Sequence, residues 1–284
     1  MTYSCLHTHT SFCDGSGVVE DFCAAAYKKR FVSLGFSAHA PVTKKTGLKT
    51  DWHLSDECFD EYCTAVRCAR ERWRGKLDVY LGLEVDYIEG LISARDFDCA
   101  ALGLDYLIGS VHYVTPSRCV DCSPEEFEKL LNEDFCGDAM ALVNRYWDCM
   151  ESMISLGGFD IIAHADIVKK NNKDGKWFSE NDDRYVKRLE RIASVIAESG
   201  IVTEVNTGGR SRGYTVEPYP SLRLLRLLQK KGVPVMINAD AHKPEHLGGF
   251  YGEARSLLLE AGFTQHCLFQ GRVDGRPVWK TEPL

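Results

Sequence analysis

Seven short segments rich in apolar, β-branched and aromatic residues recur along the 284-residue chain, each followed by residues with helical spacing. They are Ser4–Leu6, Phe31–Ala38, Leu77–Glu84, Tyr106–His112, Phe159–Ala163, Ile201–Val205 and Val233–Asn238. Predicted helices lie between them: one capped by Ser16 and running to Arg30, one from Ser55 to Trp73, a short one near Leu91–Ala101, and one opening at Ser123-Pro124. Others follow over 138–156, 182–199, 221–231 and 252–261. Strands and helices that alternate in this way form a parallel sheet. No linker, internal repeat or low-complexity stretch interrupts the pattern, so residues 1–284 read as a single α/β domain of the barrel type. Beyond the last helix, Cys267–Trp279 carries an Asp274-Gly275 turn and reads as a small hairpin.

A parallel barrel delivers the C-terminal ends of all its strands to one face, where such folds place their active sites. His7 and His9 stand at the first exit, two apart on an extended chain and so pointing the same way, and Asp14 follows in a Gly-containing turn. His39 ends the second segment, Glu84 the third, His112 the fourth and His164 the fifth, while Asp240 and His242 close the seventh. Six of the nine histidines therefore fall at strand exits, which chance placement does not explain.

Imidazole mixed with carboxylate favours Zn, Fe or Mn over the all-oxygen cages of Ca or Mg. Nine ligands are too many for one ion, but a bridging carboxylate lets two or three ions share them. Clusters of this kind ionise water at neutral pH and clamp the oxygens of a phosphate undergoing in-line displacement. With three divalent ions, Asp14, Glu84 and Asp240 leave an excess of positive charge that one hydroxide and one phosphomonoester dianion balance. A diester, with a single charge, leaves the site short.

Composition narrows the partners. A net charge of -7 argues against nucleic acid, which is bound through clustered Lys and Arg. No run approaches the roughly 20 apolar residues of a membrane span, and the first residues lack the plan of a signal peptide, so a cytoplasmic location is expected. The twelve cysteines, many on apolar helix faces (Cys23, Cys58, Cys63, Cys136, Cys149), then read as buried free thiols, and Cys119-x-x-Cys122 has no second pair to complete a zinc site.

Taken together, His7-Thr8-His9 with Asp14, the lone His39, Gly82-Leu83-Glu84, Gly109-Ser110-Val111-His112, Ile162-Ala163-His164 and Asp240-Ala241-His242 resemble the successive motifs of the polymerase and histidinol phosphatase (PHP) superfamily. Glu204-Val205-Asn206-Thr207-Gly208-Gly209 with Glu217-Pro218-Tyr219-Pro220-Ser221 resembles its histidinol-phosphate phosphatase branch. The resemblance implies a distorted seven-stranded (β/α)7 barrel with a trinuclear centre of divalent Zn, Fe or Mn. It places one ion on His7, His9, Glu84 and Asp240, a second on Glu84, His112 and His164, and a third on Asp14, His39 and His242. It also implies a phosphate-contacting arginine, for which Arg210 and Arg212 compete, and Asp240 or His242 as the group assisting the leaving alkoxide.

The expected function is hydrolysis of L-histidinol phosphate to histidinol and phosphate. The alternatives are another small phosphomonoester, a phosphodiester or nucleic-acid end, and a metal-dependent binding module without catalysis. His53, His246 and His266 are expected to be non-ligands, and Lys44, Lys169 and Lys243 to be solvated. Trp52, Phe178 and Tyr214 are candidates to line a pocket for an imidazole ring.

Overall fold

The computed structural model describes residues 1–284. In chain order its elements are β1 (Tyr3–Cys5), α1 (Val19–Lys28), β2 (Phe31–His39), α2 (Thr43–Thr46), α3 (Phe59–Trp73), β3 (Asp78–Asp86), α4 (Cys99–Leu102) and β4 (Tyr106–Ser110). There follow α5 (Pro124–Phe135), α6 (Ala139–Leu156), β5 (Ile161–Ile162), α7 (Asp183–Ser199), β6 (Val202–Asn206), α8 (Gly208–Ser211), α9 (Leu222–Lys230), β7 (Val235–Asn238), α10 (Tyr251–Ala261), β8 (Gln265–Val273) and β9 (Arg276–Pro283). No helix is long and apolar enough to cross a membrane.

Strands β1 to β7 form one parallel sheet in sequential order. It curls until β7 meets β1, where Thr8 bridges Ala241: His9 N donates to Ala241 O at 2.9 Å and Ala241 N to His7 O at 3.2 Å. Lower on the same seam, Leu6 N donates to Asn238 Oδ1 at 2.8 Å. The result is the nearly closed seven-stranded barrel expected from the sequence.

Two apolar layers hold it. The larger lies between the strands and the helices, with Phe22, Tyr62, Val66, Trp147, Leu189 and Leu225 fully buried from the helix side. The smaller fills the barrel itself: Leu6, Tyr106, Ile108, Ile161, Val202 and Met236 meet Cys267 and Phe269 of the terminal hairpin. That hairpin, β8 with β9, therefore supplies residues to the barrel interior, with Tyr80 and Trp279 against Phe269. The interior is a packed core up to the layer of polar exits, as in other parallel barrels.

Local differences from the expected elements have local causes. The first helix starts at Val19 rather than after Ser16, because Ser16 is drawn to the seam and its N–H donates to His242 O at 2.7 Å. The stretch Leu91–Ala101 is not one helix: Ser93 with Asp96 closes one turn, and Asp98 caps another by accepting from Ala100 and Ala101. Two start signals so close together cannot share one helix. The cysteines are all free thiols, as expected, but not all are buried: Cys58 is half-buried, Cys68 is exposed, and Cys136 sits exposed at the left-handed end of α5.

Gly82 marks how tightly the barrel is filled, since a Cβ there would lie 2.5 Å from the Tyr106 ring. Tyr106 is fully buried and its hydroxyl donates to the carbonyl of Leu6, so it has little freedom to retreat. Gly82→Ala is expected to destabilise the protein by about 2 kcal/mol in urea unfolding; a change below about 0.5 kcal/mol would show that the interior yields at this layer.

Candidate metal centre

The alternation of a β-strand builds the centre. On β3, Gly82, Glu84 and Asp86 share one face, so the strand that admits Tyr106 through a glycine also lifts two carboxylates to the rim. His39 ends β2 in register with Glu84, His112 lies two residues past β4, and His164 two residues past β5. His7 and His9 flank the β1–β7 seam from one side, and Asp240 and His242 from the other. Asp240 takes a left-handed backbone with φ of 46°, a conformation that costs a non-glycine residue about 1–2 kcal/mol. Gly208 beside it has no room for a Cβ, which would stand 2.6 Å from Asp240 Oδ2.

All nine sequence-predicted ligands converge. Glu84 is the hub: its Oε2 lies 3.1 Å from His7 Nε2, 3.4 Å from His9 Nε2 and 3.2 Å from His39 Nδ1. Its Oε1 lies 3.1 Å from His164 Nε2 and 3.7 Å from His112 Nε2. Asp240 Oδ1 is 3.4 Å from His9 Nε2 and 3.8 Å from His7 Nε2. Asp14 Oδ2 is 2.9 Å from His242 Nε2 and 3.9 Å from His39 Nε2. Ligand-capable atoms fall within 4.8 Å of one another in four sets: His7, His9 and Asp240; His7, Glu84 and His164; His9, Asp14, His39 and His242; and His39, Asp86 and His112. The first and third of these follow the partition expected from the sequence, with His9 reaching into the third; in the second, His7 stands with Glu84 and His164, while His112 groups with His39 and Asp86.

The donor chemistry fits divalent metal. His7 places Nδ1 2.9 Å from Glu204 Oε2, which fixes that nitrogen as a donor and turns Nε2 toward Glu84 and Asp240. Yet Nε2 of His7 and of His9, fully buried, make no hydrogen bond to the carboxylates beside them. A buried nitrogen lone pair facing two carboxylates is repelled, and a proton there finds no aligned acceptor, whereas a cation between them is attracted by every atom in the set. A proton is the poorer substitute.

The charges respond to this crowding. Burial would raise Glu84, but His7, His39 and His112 hold it well below the ordinary carboxylate range. Burial likewise works against ionised Asp240, and Arg212 with the surrounding imidazoles overcomes it. His7 is pulled down by burial and pushed further up by Glu204, Glu84 and Asp240. Burial and the neighbouring His242 and His39 hold His9 well below its usual value. For His112, burial is outweighed by Asp86, whose carboxylate helps push the ring up to about 10.

Behind the ligands stands a set of orienting groups that sequence reasoning missed. Glu204 accepts from His7 Nδ1, from the His164 N–H at 2.9 Å, from Asn206 Nδ2 at 2.7 Å and from Asn238 Nδ2 at 2.9 Å. Asp86 pairs with His112 Nδ1 at 2.6 Å and with His53 Nε2 at 2.9 Å, so it orients His112 rather than adding a ligand. The available signal was a carboxylate two residues from a candidate ligand on the same strand face (Asp86 after Glu84), and an inward Glu-x-Asn pair on β6. His53, not among the expected ligands, belongs to this outer set through Asp86.

Above the centre opens a cavity of about 410 Å³ lined by Asp14, Glu84, Asp240 and four of the six histidines, not His7 or His9, together with Trp52, Asp121, Lys170, Arg212 and Tyr214. Of the two candidate arginines, Arg212 faces it: Nη2 donates to Asp240 Oδ2 at 2.9 Å, and Nη1 donates to Asp240 O at 2.9 Å and to His242 Nδ1 at 2.7 Å. Arg210 turns away, pairing with Glu253 at 3.0 Å and stacking over Phe250. Trp52 and Tyr214 line the cavity as expected, whereas Phe178 is packed in the core against Tyr185. Lys169, expected in solvent, is nearly buried among Asp166, Glu180 and Glu217.

The family model of the PHP domain matches residues 6–208, most of the chain, and the chain belongs to that family. It is 29% identical over 264 residues to a Deinococcus radiodurans protein named "Probable histidinol-phosphatase", covering 92% of this chain and 95% of that one. It is 28% identical over 261 residues to the histidinol-phosphatase of Bacillus subtilis, covering 86% and 95%. Among solved structures, histidinol phosphate phosphatase from Lactococcus lactis, complexed with zinc, L-histidinol and phosphate, superposes with a TM-score of 0.65 at 17% identity over 94% of this chain and 96% of that one. At that distance the superposition establishes the shared fold.

Because Glu204 fixes His7 and the His164 main chain together, Glu204→Gln is expected to weaken metal binding about 10–100-fold while leaving the fold intact. Calorimetric titration of the metal-free protein with Zn²⁺ measures this, and wild-type affinity in the variant would remove Glu204 from the orienting set.

Proposed function

We propose that this protein is a metal-dependent histidinol-phosphatase that hydrolyses L-histidinol phosphate to L-histidinol and inorganic phosphate. The observation that carries the reading is the convergence of six imidazoles, Asp14 and Asp240 around Glu84 at the floor of a cavity sized for a small molecule. The names of the D. radiodurans and B. subtilis relatives, each matched along almost its whole length, support the choice of substrate.

The residues that would hold the ions are His7, His9, Glu84 and Asp240 for one; Glu84, His112 and His164 for a second; and Asp14, His39 and His242 for a third. Zinc is the ion in the L. lactis structure, and this donor set suits zinc, iron or manganese. When bound, such ions supply Lewis acidity and ionise water at neutral pH.

The chain's own groups do the positioning. Arg212 offers a guanidinium to the equatorial oxygens of the phosphate and is held in place by Asp240 and its carbonyl. Asp240 stays ionised beside that guanidinium, so it serves as a ligand and not as the acid for the leaving alkoxide. The cavity, of about 410 Å³ and with Trp52 and Tyr214 on its wall, is sized for a small monoester rather than a polymer end. The barrel and its terminal hairpin work as one unit, since the hairpin fills the barrel beneath the site.

The test is phosphate release by the purified, metal-loaded protein from L-histidinol phosphate, a panel of other monoesters and a diester. Histidinol phosphate is expected to be the best substrate, with kcat/KM more than about 100-fold above the diester; a better diester or no release at full metal occupancy would overturn the reading. Glu84→Ala, which removes the carboxylate shared by two sets of ligands, is expected to lose metal and activity in step. Full metal content with full turnover in that variant would refute the ligand assignment.

A further inference from the structure

Three carboxylates of the cavity belong to the proposed ligand set, and a fourth does not. Asp121 lines the same space but lies in the excursion between β4 and α5. That excursion is fastened to the rim. Val120 N donates to His112 O at 2.7 Å, Asn171 Nδ2 donates to Cys122 O at 3.1 Å, and Lys170 Nζ donates to the Asp121 carbonyl. Asp121 is thus carried one residue beyond an anchor on a predicted metal ligand, on backbone that has little freedom to swing away.

Its carboxylate nevertheless accepts no hydrogen bond. Lys170 Nζ stands 3.7 Å from Asp121 Oδ2, beyond hydrogen-bond reach, and is engaged by the main-chain carbonyl and by the face of Tyr214, 4.6 Å from the ring centroid. The side chain is about three-quarters buried, with 23% of its surface exposed. Asp121 thus has Lys170 as an ion-pair neighbour but no hydrogen bond, and a carboxylate held so at a cavity wall keeps lone pairs open to a cationic group from whatever enters. A phosphate cannot take that place, because like charges repel, so the anionic end of a substrate is confined to the ions and Arg212.

We infer that Asp121 is the receptor for the ammonium group of the substrate, and that the cavity thereby selects phosphomonoesters that carry a cation close to the ester. Trp52 and Tyr214, which also line the cavity, supply apolar surface to the rest of the molecule. The inference rests on the phosphomonoesterase reading above and adds the residue that reads the amine.

The test uses two pairs of substrates that differ in the amine alone: L-histidinol phosphate with its desamino analogue, 3-(imidazol-4-yl)propyl phosphate, and 2-aminoethyl phosphate with ethyl phosphate. The metal-loaded wild-type enzyme is expected to prefer the aminated member, and Asp121→Asn to reduce that preference about 10–100-fold, chiefly through KM. Asp121→Glu should restore part of it, an outcome that a merely structural role would not give. The proposal is overturned if the preference is unchanged in Asp121→Asn, or if wild type shows no preference within either pair. Failure to cleave histidinol phosphate, alongside an Asp121-dependent preference for 2-aminoethyl over ethyl phosphate, would sink the substrate assignment and support the cation site.

Discussion

The seam between the first and last strands of the barrel is the contact on which the rest depends. Two main-chain hydrogen bonds close the sheet, His9 N–H to Ala241 O and Ala241 N–H to His7 O; they are made by His7 and His9 themselves and by the residue between Asp240 and His242. Barrel closure and assembly of the site are therefore one event. Ligands separated by more than 230 residues in sequence are brought together by the same backbone pairing that completes the fold, and Asn238 ties the two functions again by accepting from Leu6 N–H and donating to Glu204.

Closure also creates an electrostatic problem. It gathers Glu84, Asp86, Glu204 and Asp240 into buried space, with Asp14 at its exposed edge, where like charges and lost hydration oppose folding. Arg212 offsets part of this through Asp240, and the imidazoles offset more by holding Glu84 and Asp240 ionised. Nε2 of His7 and His9 still point at carboxylates without hydrogen-bonding to them. Divalent ions would complete the balance, and the local positive charge they bring would suit an anionic ligand in a protein whose net charge is -7.

Much of this was legible in the sequence because barrel geometry turns a one-dimensional pattern into a place. A residue that ends an apolar segment in a parallel barrel must stand at the rim, so His39, Glu84, His112 and His164 could be grouped without knowing any distance. Glu204 and Asp86 were harder to read: each lies within an apolar strand, and whether such a carboxylate orients a ligand depends on which ring nitrogen faces it. Arg210 and Arg212 could not be separated, because both lie around the single turn α8, and residues two apart on a helix face different directions. The Ser16 cap failed because a tertiary bond to His242 outweighed a local preference. Phe178 is a core residue because the loop carrying it is pinned by Asn172, which accepts from the Trp177 and Phe178 N–H groups at 2.9 and 3.1 Å and donates to Phe178 O.

The most direct measurement of the central claim is an anomalous-scattering map from crystals of the protein loaded with zinc. The account predicts ions inside the rim, each within coordination distance of the ring nitrogens and carboxylates of its set, with Glu84 touching two of them. Density for zinc confined to the outlying cysteines, with the space between His7, Glu84 and Asp240 empty, would contradict it.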